Sequence, residues 1–324
     1  MAEQSDWMFP ENLQPRAEAL RFDLDAALDS VVMLRAEIPD DAFTASILGT
    51  ERIGNGVVIR HDGLILTIGY LVTEAERVWL TTNDGKVVPG YPLAYDFVTG
   101  FALVQPLGKL AGPWMARGSS ASCRPGDDMI VIGHGGLAHT LSAKLLVKRE
   151  FAGYWEYVLD EALFTAPAHP QWGGTALVGH DGKLIGIGSL LVQEPADDQP
   201  VQGNMFVPID LLDPILDDLL RQGQAARPPR PWLGMYTTEA QGQLVVAGVA
   251  DGGPADRAGI RQGDFVQEVA GAKPASLADF FRKVWQVGQA GVEVPLTLVR
   301  KGAQMKLRIR SADRGAFLKK PRLH

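Results

Sequence analysis

The sequence predicts a mainly β protein of two domains, and three observations carry that prediction. The chain has 324 residues, a length that favours two domains. From Ser30 to about Val207, short runs rich in Val, Ile and Leu alternate with Asp-Gly and Pro-Gly turn signals, a pattern typical of a β-barrel or sandwich. Beyond a stretch rich in Gln, Arg and Pro, the remaining chain mixes short strand and helix signals.

The order of these signals divides the chain into five segments. Apolar residues recur with helical spacing from Leu211 to Leu220, which predicts a helix at the end of the first domain. We therefore expect an N-terminal tail or short helix over 1–28, a β domain over 29–220, a linker over 221–230, a second domain over 231–312 and a C-terminal tail over 313–324.

Composition excludes several classes of protein. Hydrophobic residues make up 46% of the chain, enough for two cores, and the net charge of -7 argues against nucleic acid or an anionic membrane as partner. The single cysteine, Cys123, excludes an intramolecular disulfide and is interpreted as a strand-edge residue. The first 30 residues lack a signal-peptide pattern and no stretch of about 18 apolar residues occurs, so we expect a cytoplasmic location, with the cell envelope as the alternative if the start is mis-assigned.

Three segments of the first domain have the character of a hydrolase site. They are Gly54–Ile59 with Asp62–Val72, then Asp96–Val104, and finally His169–Val178 followed by an Asp-Gly turn. Together they resemble the HtrA family of trypsin-like serine proteases, whose patterns are G-S-G-V-I-I, D-G-x-I-V-T-N-x-H-V-V, D-x-x-T-D-L-A-V-L and N-P-G-N-S-G-G-P-L-V. The resemblance implies a double six-stranded β-barrel.

The same resemblance implies that the catalytic triad is lost. Tyr70 stands at the family's histidine, Gly100 at its aspartate and Gly173 at its serine. No local shift restores the triad, because no histidine lies between residues 62 and 133 and no serine between 143 and 188. Loss of the nucleophile or base alone costs on the order of 10⁶ in rate. Gln171 replaces a glycine of the oxyanion hole. We predict a pseudoprotease with no catalytic residue and no cofactor.

The second domain resembles a PDZ domain of the HtrA type. Gly253–Asp264 is close to the family's S-P-A-x-x-A-G-L-x-x-G-D, in which Pro254 opens a short helix and Gly259 ends it. The resemblance implies a carboxylate-binding loop formed by Trp232, Leu233, Gly234 and Met235, whose backbone N–H groups cap a peptide C-terminus. A second helix begins at Ser276, with Asp279 as part of a capping box.

The second helix is expected to form the other wall of the peptide groove. Phe280 and Val284 are its predicted peptide-binding residues. Phe280 is favoured over Phe281 for the groove, with the alternative that both phenylalanines belong to the core.

Two further sets of residues leave alternatives open. Three histidines, His134, His139 and His169, could together ligate zinc, but the usual ligand spacings are missing, so no metal site is expected. Tyr70 and Trp172 either fill the vacated cleft or line a ligand pocket.

The sequence therefore favours a catalytically inactive HtrA-like protein that binds protein C-termini or extended peptides, as scaffold, adaptor or chaperone-like binder. The alternatives are a regulatory subunit that co-assembles with an active relative, an active serine endopeptidase, and an enzyme of unfamiliar chemistry. The family's trimeric habit implies a homotrimer or a mixed oligomer.

Overall fold

The computed structural model describes residues 7–110, 112–195 and 199–320. It forms two compact units. The first contains the described residues of 1–149, 161–226 and 319–324, and the second contains Glu150–Asp160 and Arg227–Leu318. Residues 150–160, which the sequence assigns to the first domain, are thus grouped with the second. Residues 1–6 and 321–324 of the two predicted tails lie outside the described residues.

The first unit contains two closed six-stranded barrels, which confirms the predicted fold class. Strand order in the first barrel is β1-β2-β3-β6-β5-β4, and every pairing is antiparallel. The Asp-Gly turn between β4 and β5 has Gly85 at a φ of +83°, a conformation that glycine adopts without steric cost. The strands are β1 Val31–Glu37, β2 Glu51–Val58, β3 Ile65–Ile68, β4 Arg77–Thr81, β5 Val87–Tyr95 and β6 Phe101–Pro106.

The second barrel has the strand order β10-β11-β12-β9-β8-β7. Its interior is a cluster of nine buried apolar residues, which includes Val131, Leu163 and Phe206. Cys123 packs against this cluster and ends the 3₁₀ turn Ser120–Ser122, so its predicted place at a strand edge is wrong. The strands are β7 Asp128–Ile132, β8 Thr140–Gly153, β9 Tyr157–Ala166, β10 Ala176–Val178, β11 Leu184–Glu194 and β12 Val201–Pro208.

The α-helices of the first unit are short. One precedes the first strand, one lies between the first two strands, and one follows the last strand of the second barrel. The predicted helix near the end of the domain is present, but a 3₁₀ turn at Ile209–Leu211 precedes it and Gly223 ends it with a φ of +71°. Its buried residues are Ile215, Leu216 and Leu219, as the apolar stripe predicts. The α-helices are α1 Leu24–Asp29, α2 Ala45–Leu48 and α3 Asp213–Gln222.

The second unit is a five-stranded antiparallel sheet with two helices. Half of the predicted capping box is present, since the Ser276 hydroxyl accepts the Asp279 N–H at 3.1 Å, whereas the Asp279 carboxylate accepts the N–H of Ala275, one residue before the cap, at 2.7 Å. The elements are β13 Met235–Ala240, β14 Gln243–Val249, α4 Pro254–Arg257, β15 Phe265–Val269, α5 Leu277–Gln286, β16 Glu293–Arg300 and β17 Ala303–Arg310.

The turn Gly263-Asp264 of the second unit ends in an aspartate that forms an ion pair with Arg300. The Asp264 side chain is almost wholly buried, and both its oxygens accept from Arg300, at 2.6 and 2.7 Å. It also accepts the Arg261 N–H at 2.9 Å, which fixes the turn into β15. Among the residues that the structure describes, none belongs to a helix long and apolar enough to cross a lipid bilayer.

Candidate functional site

Tyr70 lies in the position that the sequence comparison assigns to a general base. It belongs to the 3₁₀ turn Gly69–Leu71 that follows β3. Its hydroxyl donates to the Ser189 carbonyl at 2.9 Å and accepts a hydrogen bond from the Trp172 side chain. Burial raises the pKa of the Tyr70 phenol well above its usual range, so the hydroxyl keeps its proton at neutral pH. The group is therefore a structural hydrogen-bond donor and cannot act as a base there.

Gly173 lies directly against this tyrosine. A Cβ atom built on Gly173 would be only 2.8 Å from the Tyr70 hydroxyl oxygen. The backbone of the same residue is tied to β2, because its carbonyl accepts from the Asn55 N–H at 2.8 Å and from the Asn55 amide side chain at 3.1 Å. The structure thus brings two of the three predicted triad positions together, and the tyrosine ring occupies the space that a nucleophile would use.

The third position, Gly100, carries no carboxylate and lies next to one that is already bonded. Gly100 has a φ of +82° and accepts the Gly69 N–H at 2.7 Å, which places it beside the turn that carries Tyr70. The nearby Asp96 side chain is buried, and it accepts both the N–H and the hydroxyl of Thr99 at 2.8 Å. That carboxylate holds its own turn and does not orient a base.

At the predicted oxyanion position, Gln171, the backbone N–H is also bonded within the protein. The Gln171 N–H, which would face a developing negative charge, donates to Nδ1 of His169 at 3.1 Å. Nε2 of the same ring lies 3.0 Å from the His139 carbonyl. The backbone N–H of His169 donates to the side-chain oxygen of Asn204 at 2.6 Å. Burial lowers the pKa of His169 to about 4, so the ring is neutral at pH 7 and accepts at Nδ1.

The three histidines do not converge on a common point. His134 lies with Nε2 at 3.3 Å from the Thr82 carbonyl, while His139 and His169 pack against the aromatic rings of Trp7 and Phe9. Within the described ranges, no group of three or more histidine, cysteine or acidic side chains has a geometry that could hold a metal ion. These imidazoles serve as hydrogen-bonding and packing groups in loops of the second barrel.

A different kind of site exists in the second unit, at the loop of Trp232, Leu233, Gly234 and Met235. The loop is anchored at its start, where Trp232 and Ala312 exchange two backbone hydrogen bonds of 3.0 Å. Gly234 has a φ of +69°, and a Cβ there would be 3.0 Å from the Trp232 ring. This left-handed residue turns the chain so that successive backbone N–H groups point to one side.

These N–H groups converge on a carboxylate of the same unit. Leu233 donates to both oxygens of Glu156, at 3.2 and 3.1 Å, and Met235 donates to Oε1 at 3.0 Å. The Gly234 N–H and the positive charge of Arg314 also favour the charged form of Glu156. Burial has the larger effect and raises the pKa of Glu156 to about 7. The loop therefore has the geometry of an anion-binding site.

The predicted groove residues lie close to this loop in the core of the unit. Phe280, Phe281 and Val284 on α5 are all buried, in one cluster with Leu233 and Met235. The role of Phe280 and Val284 in peptide binding stays a prediction. Sequence reasoning missed Glu156 and its neighbour Tyr154, since nothing in the local pattern of a strand-to-strand turn indicates that it contacts a loop 77 residues away.

Comparison with known proteins identifies two domains in the chain. The family profile of the trypsin-like peptidase domain matches residues 54–187, and that of the PDZ domain matches residues 231–310. A probable periplasmic serine endoprotease, DegP-like, from Chlamydia pneumoniae is 25% identical over 272 residues, covering 78% of this chain. Putative protease Do-like 14 from Arabidopsis thaliana is 28% identical over 265 residues, covering 71% of this chain.

Both relatives are longer than the aligned region. The alignments span 54% of the Chlamydia pneumoniae protein and 59% of the Arabidopsis thaliana protein. Among solved structures, an HtrA-type protease, AlgW, with a tripeptide superposes with a TM-score of 0.52 at 19% identity, over 92% of this chain and 97% of that one. The same protease with a decapeptide gives a TM-score of 0.53 at 19% identity, over 93% of this chain and all of that one. At this identity the likeness shows the fold alone.

Proposed function

This chain is a homologue of the HtrA-type proteases, with a trypsin-like peptidase domain followed by a PDZ domain, and we propose that it binds peptides without cleaving them. The ligands are free C-termini or extended segments of other proteins, bound in the PDZ domain. In this proposal the trypsin-like domain serves as a scaffold and has no hydrolytic activity. The oligomeric state of the family, trimeric or mixed with an active relative, is part of the same proposal.

The observation that carries the binding proposal is the carboxylate held by the 232–235 loop. A peptide C-terminus presents the same chemical group as the Glu156 side chain, and the N–H groups of Leu233 and Met235 already lie within 3.2 Å of it. Hydrogen bonds to a charged acceptor contribute about 1.5–3 kcal/mol each, so a free C-terminus gains most of its recognition here. The two AlgW structures that share this fold were determined with a tripeptide and a decapeptide.

The loss of catalysis is supported by what fills each catalytic position. Tyr70 keeps its proton, Gly173 has no nucleophile, and the Gln171 N–H is bonded to a histidine ring. A serine hydrolase needs a hydroxyl, an adjacent base and donors for the oxyanion. The curated relatives are named as proteases, so an active endopeptidase is the second candidate that an experiment has to exclude.

One pair of measurements on the whole chain tests the proposal. Fluorescein-labelled octapeptides with an apolar last residue, either free or amidated at the C-terminus, are titrated by fluorescence polarisation. We expect the free peptides to bind at about micromolar strength, roughly -8 kcal/mol, and the amidated ones at least about tenfold more weakly. Equal binding of both forms would rule out C-terminal recognition. In parallel, a fluorophosphonate probe should leave every serine unlabelled, and stoichiometric labelling would identify an active hydrolase.

A further inference from the structure

The turn between β8 and β9 is the part of the molecule that lies along the proposed peptide site. Residues 150–160 belong to the same compact unit as the PDZ domain. Glu156 occupies the carboxylate loop with its side chain, and the backbone of the turn extends from there along β13. The Tyr154 carbonyl accepts the Thr237 N–H at 3.0 Å. A segment of this chain thus makes contacts that a bound peptide would make.

The spacing of these contacts is that of a peptide added to a sheet edge. In strand addition, a ligand places its carboxylate in the loop, and alternate backbone groups pair with the neighbouring strand. Here the carboxylate belongs to Glu156, and the paired carbonyl belongs to Tyr154, two residues earlier. The Tyr154 ring lies 6.0 Å from that of Tyr236 on the same strand, with the planes nearly perpendicular. The side-chain carboxylate of an internal residue replaces the main-chain carboxylate of a terminus.

Further contacts hold the base of the segment. Arg282 on α5 forms ion pairs of 2.6 Å with Glu150 and 2.5 Å with Asp160, one on each strand leading into the turn. Val158 belongs to the apolar core of the unit, and Arg314 donates to the Trp155 carbonyl at 3.2 Å. The segment is therefore docked at the loop, along β13 and against α5, and it covers the site where an external peptide would bind.

The turn also carries a conformation that favours its release. Glu156 has a φ of +63°, in the left-handed region where side chains other than glycine, asparagine and aspartate are uncommon. Such outliers persist only where the surrounding contacts enforce them, and they are concentrated at ligand and switch sites. Removal of the carboxylate contact leaves this residue without the hydrogen bonds that offset its strain.

We propose that residues 150–160 act as an internal ligand of the carboxylate loop, which an external C-terminal peptide must displace. This inference rests on the proposed function and adds a regulation to it. A receptor whose binding-competent state is only a fraction of the population binds its ligand more weakly by that fraction. The whole chain is then a gated receptor, and a partner that draws the turn away from the loop would open it.

The test uses the intact chain and two readouts. Glu156→Ala removes the internal carboxylate, and Glu156→Gln removes its charge but keeps one acceptor. The matched control is Glu293→Ala, because Glu293 is an exposed glutamate on β16 of the same unit with only a 3.8 Å contact to Arg308. The probe is a fluorescein-labelled octapeptide with a free, apolar C-terminal residue. Hydrogen exchange of the Thr237 amide reports release of the turn independently of any peptide.

We expect Glu156→Ala to bind the octapeptide at least about tenfold more tightly than the wild type and to lose Thr237 protection by a similar factor. Glu156→Gln, which keeps an uncharged acceptor like the protonated carboxyl, should stay close to the wild type, and Glu293→Ala should match the wild type. Equal peptide affinity of wild type and Glu156→Ala, or a Thr237 amide that stays protected in Glu156→Ala, would overturn the gating inference.

The proposed function fails in a different way. In one outcome, the Thr237 amide loses protection in Glu156→Ala, but neither Glu156→Ala nor Glu156→Gln binds the free octapeptide more tightly than its amidated form. The loop is then not a binding site for C-termini. That outcome rejects the proposed function. It also rejects the gating inference, because residues 150–160 would then make only a structural contact with the loop.

Discussion

The region around the predicted triad positions, which we call the catalytic centre, and the carboxylate loop differ in how their polar groups are paired. In the catalytic centre, Tyr70 donates to a carbonyl, Asp96 accepts from Thr99, and the Gln171 N–H is bonded to His169. In the loop, the N–H groups of Leu233 and Met235 converge on one carboxyl group, that of Glu156. Donors and acceptors that are paired one to one leave nothing for a substrate, whereas N–H groups that converge on one carboxyl group can bind another carboxylate in its place. This difference is the reason why we propose that the second unit binds the ligand.

The largest expected difference is in catalytic rate, between an intact triad enzyme and this protein with the three triad residues put back. The triple variant Tyr70→His, Gly100→Asp, Gly173→Ser should remain at least on the order of 10⁶ below an intact triad enzyme in rate. The reasons are that Gly100 has a φ of +82°, unfavourable for aspartate, and that the Gln171 N–H is not free for an oxyanion. Cleavage of an unfolded protein and labelling by a fluorophosphonate probe measure the activity of the triple variant. Turnover by the triple variant would mean that the centre is less altered than its hydrogen bonds indicate.

The next largest effect concerns the shape of the carboxylate loop. Gly234→Val should weaken binding of free C-terminal peptides by about a hundredfold, because the residue has a φ of +69° and its Cβ would be 3.0 Å from Trp232 and 3.2 Å from Ala250. Gly242→Val is the matched control, since Gly242 has a φ of +71° but no atom within 4 Å of its Cβ. Fluorescence polarisation compares the two. If both variants bind alike, the effect comes from backbone strain and not from the loop.

A smaller effect tests whether the tyrosine fills the nucleophile position. Gly173→Ser alone should lower the free energy of unfolding of the first unit by about 1–3 kcal/mol, because its Cβ would be 2.8 Å from the Tyr70 hydroxyl. In the background Tyr70→Phe, which removes that hydroxyl, the same substitution should cost about 1 kcal/mol less. Denaturant unfolding of the four proteins measures this coupling. Additive effects would show that the two positions do not compete for space.

The smallest effect is a pH dependence of the docked turn. Burial raises the pKa of Glu156 to about 7, against the opposing hydrogen bonds of the loop and the charge of Arg314. Because the docked carboxyl binds its proton more tightly than the released one, docking is most favourable below the ordinary pKa of 4.5 and weakens as pH rises through 7.

Tyr154, Tyr236 and Arg314 are the other titratable or charged groups near this carboxyl, and burial raises the pKa of Tyr236 above its usual value, so that Tyr236 stays neutral throughout the range. We expect Thr237 protection, corrected for intrinsic exchange, to fall by at least about tenfold between about pH 5 and pH 7.5, because the pKa of Glu156 differs by more than one unit between the docked and the released turn. Glu156→Gln should show no such change. A profile that is flat in the wild type, or equally steep in the variant, would exclude this residue as the titrating group.

Much of the fold could be predicted because it depends on local patterns. The Asp-Gly turns, the helix cap at Ser276 and the short helix that begins at Pro254 are set by residues a few positions apart. The resemblance to a known family located Tyr70 and Gly173, which the structure brings into contact.

The rest of the site depends on contacts between distant parts of the chain. Glu156 reaches Met235 across 79 residues, and Asn55 reaches the Gly173 carbonyl across 118. No local pattern encodes such a pairing. The bond between the Gln171 N–H and the His169 ring is local, but it depends on distant residues: the His139 carbonyl orients the ring, and Asn204 holds the His169 backbone. Sequence reasoning therefore identified the loop and missed its occupant.

The most direct test of the central claim compares the two regions in one experiment. Backbone amide resonances of Leu233 and Met235 are followed by NMR with those of Gln171 and Gly173, while Glu156→Ala is titrated with a peptide bearing a free C-terminus. The account predicts saturable shifts at Leu233 and Met235, with the peptide intact and the other two resonances unmoved. Shifts at Gln171 and Gly173, or cleavage of the peptide, would contradict it.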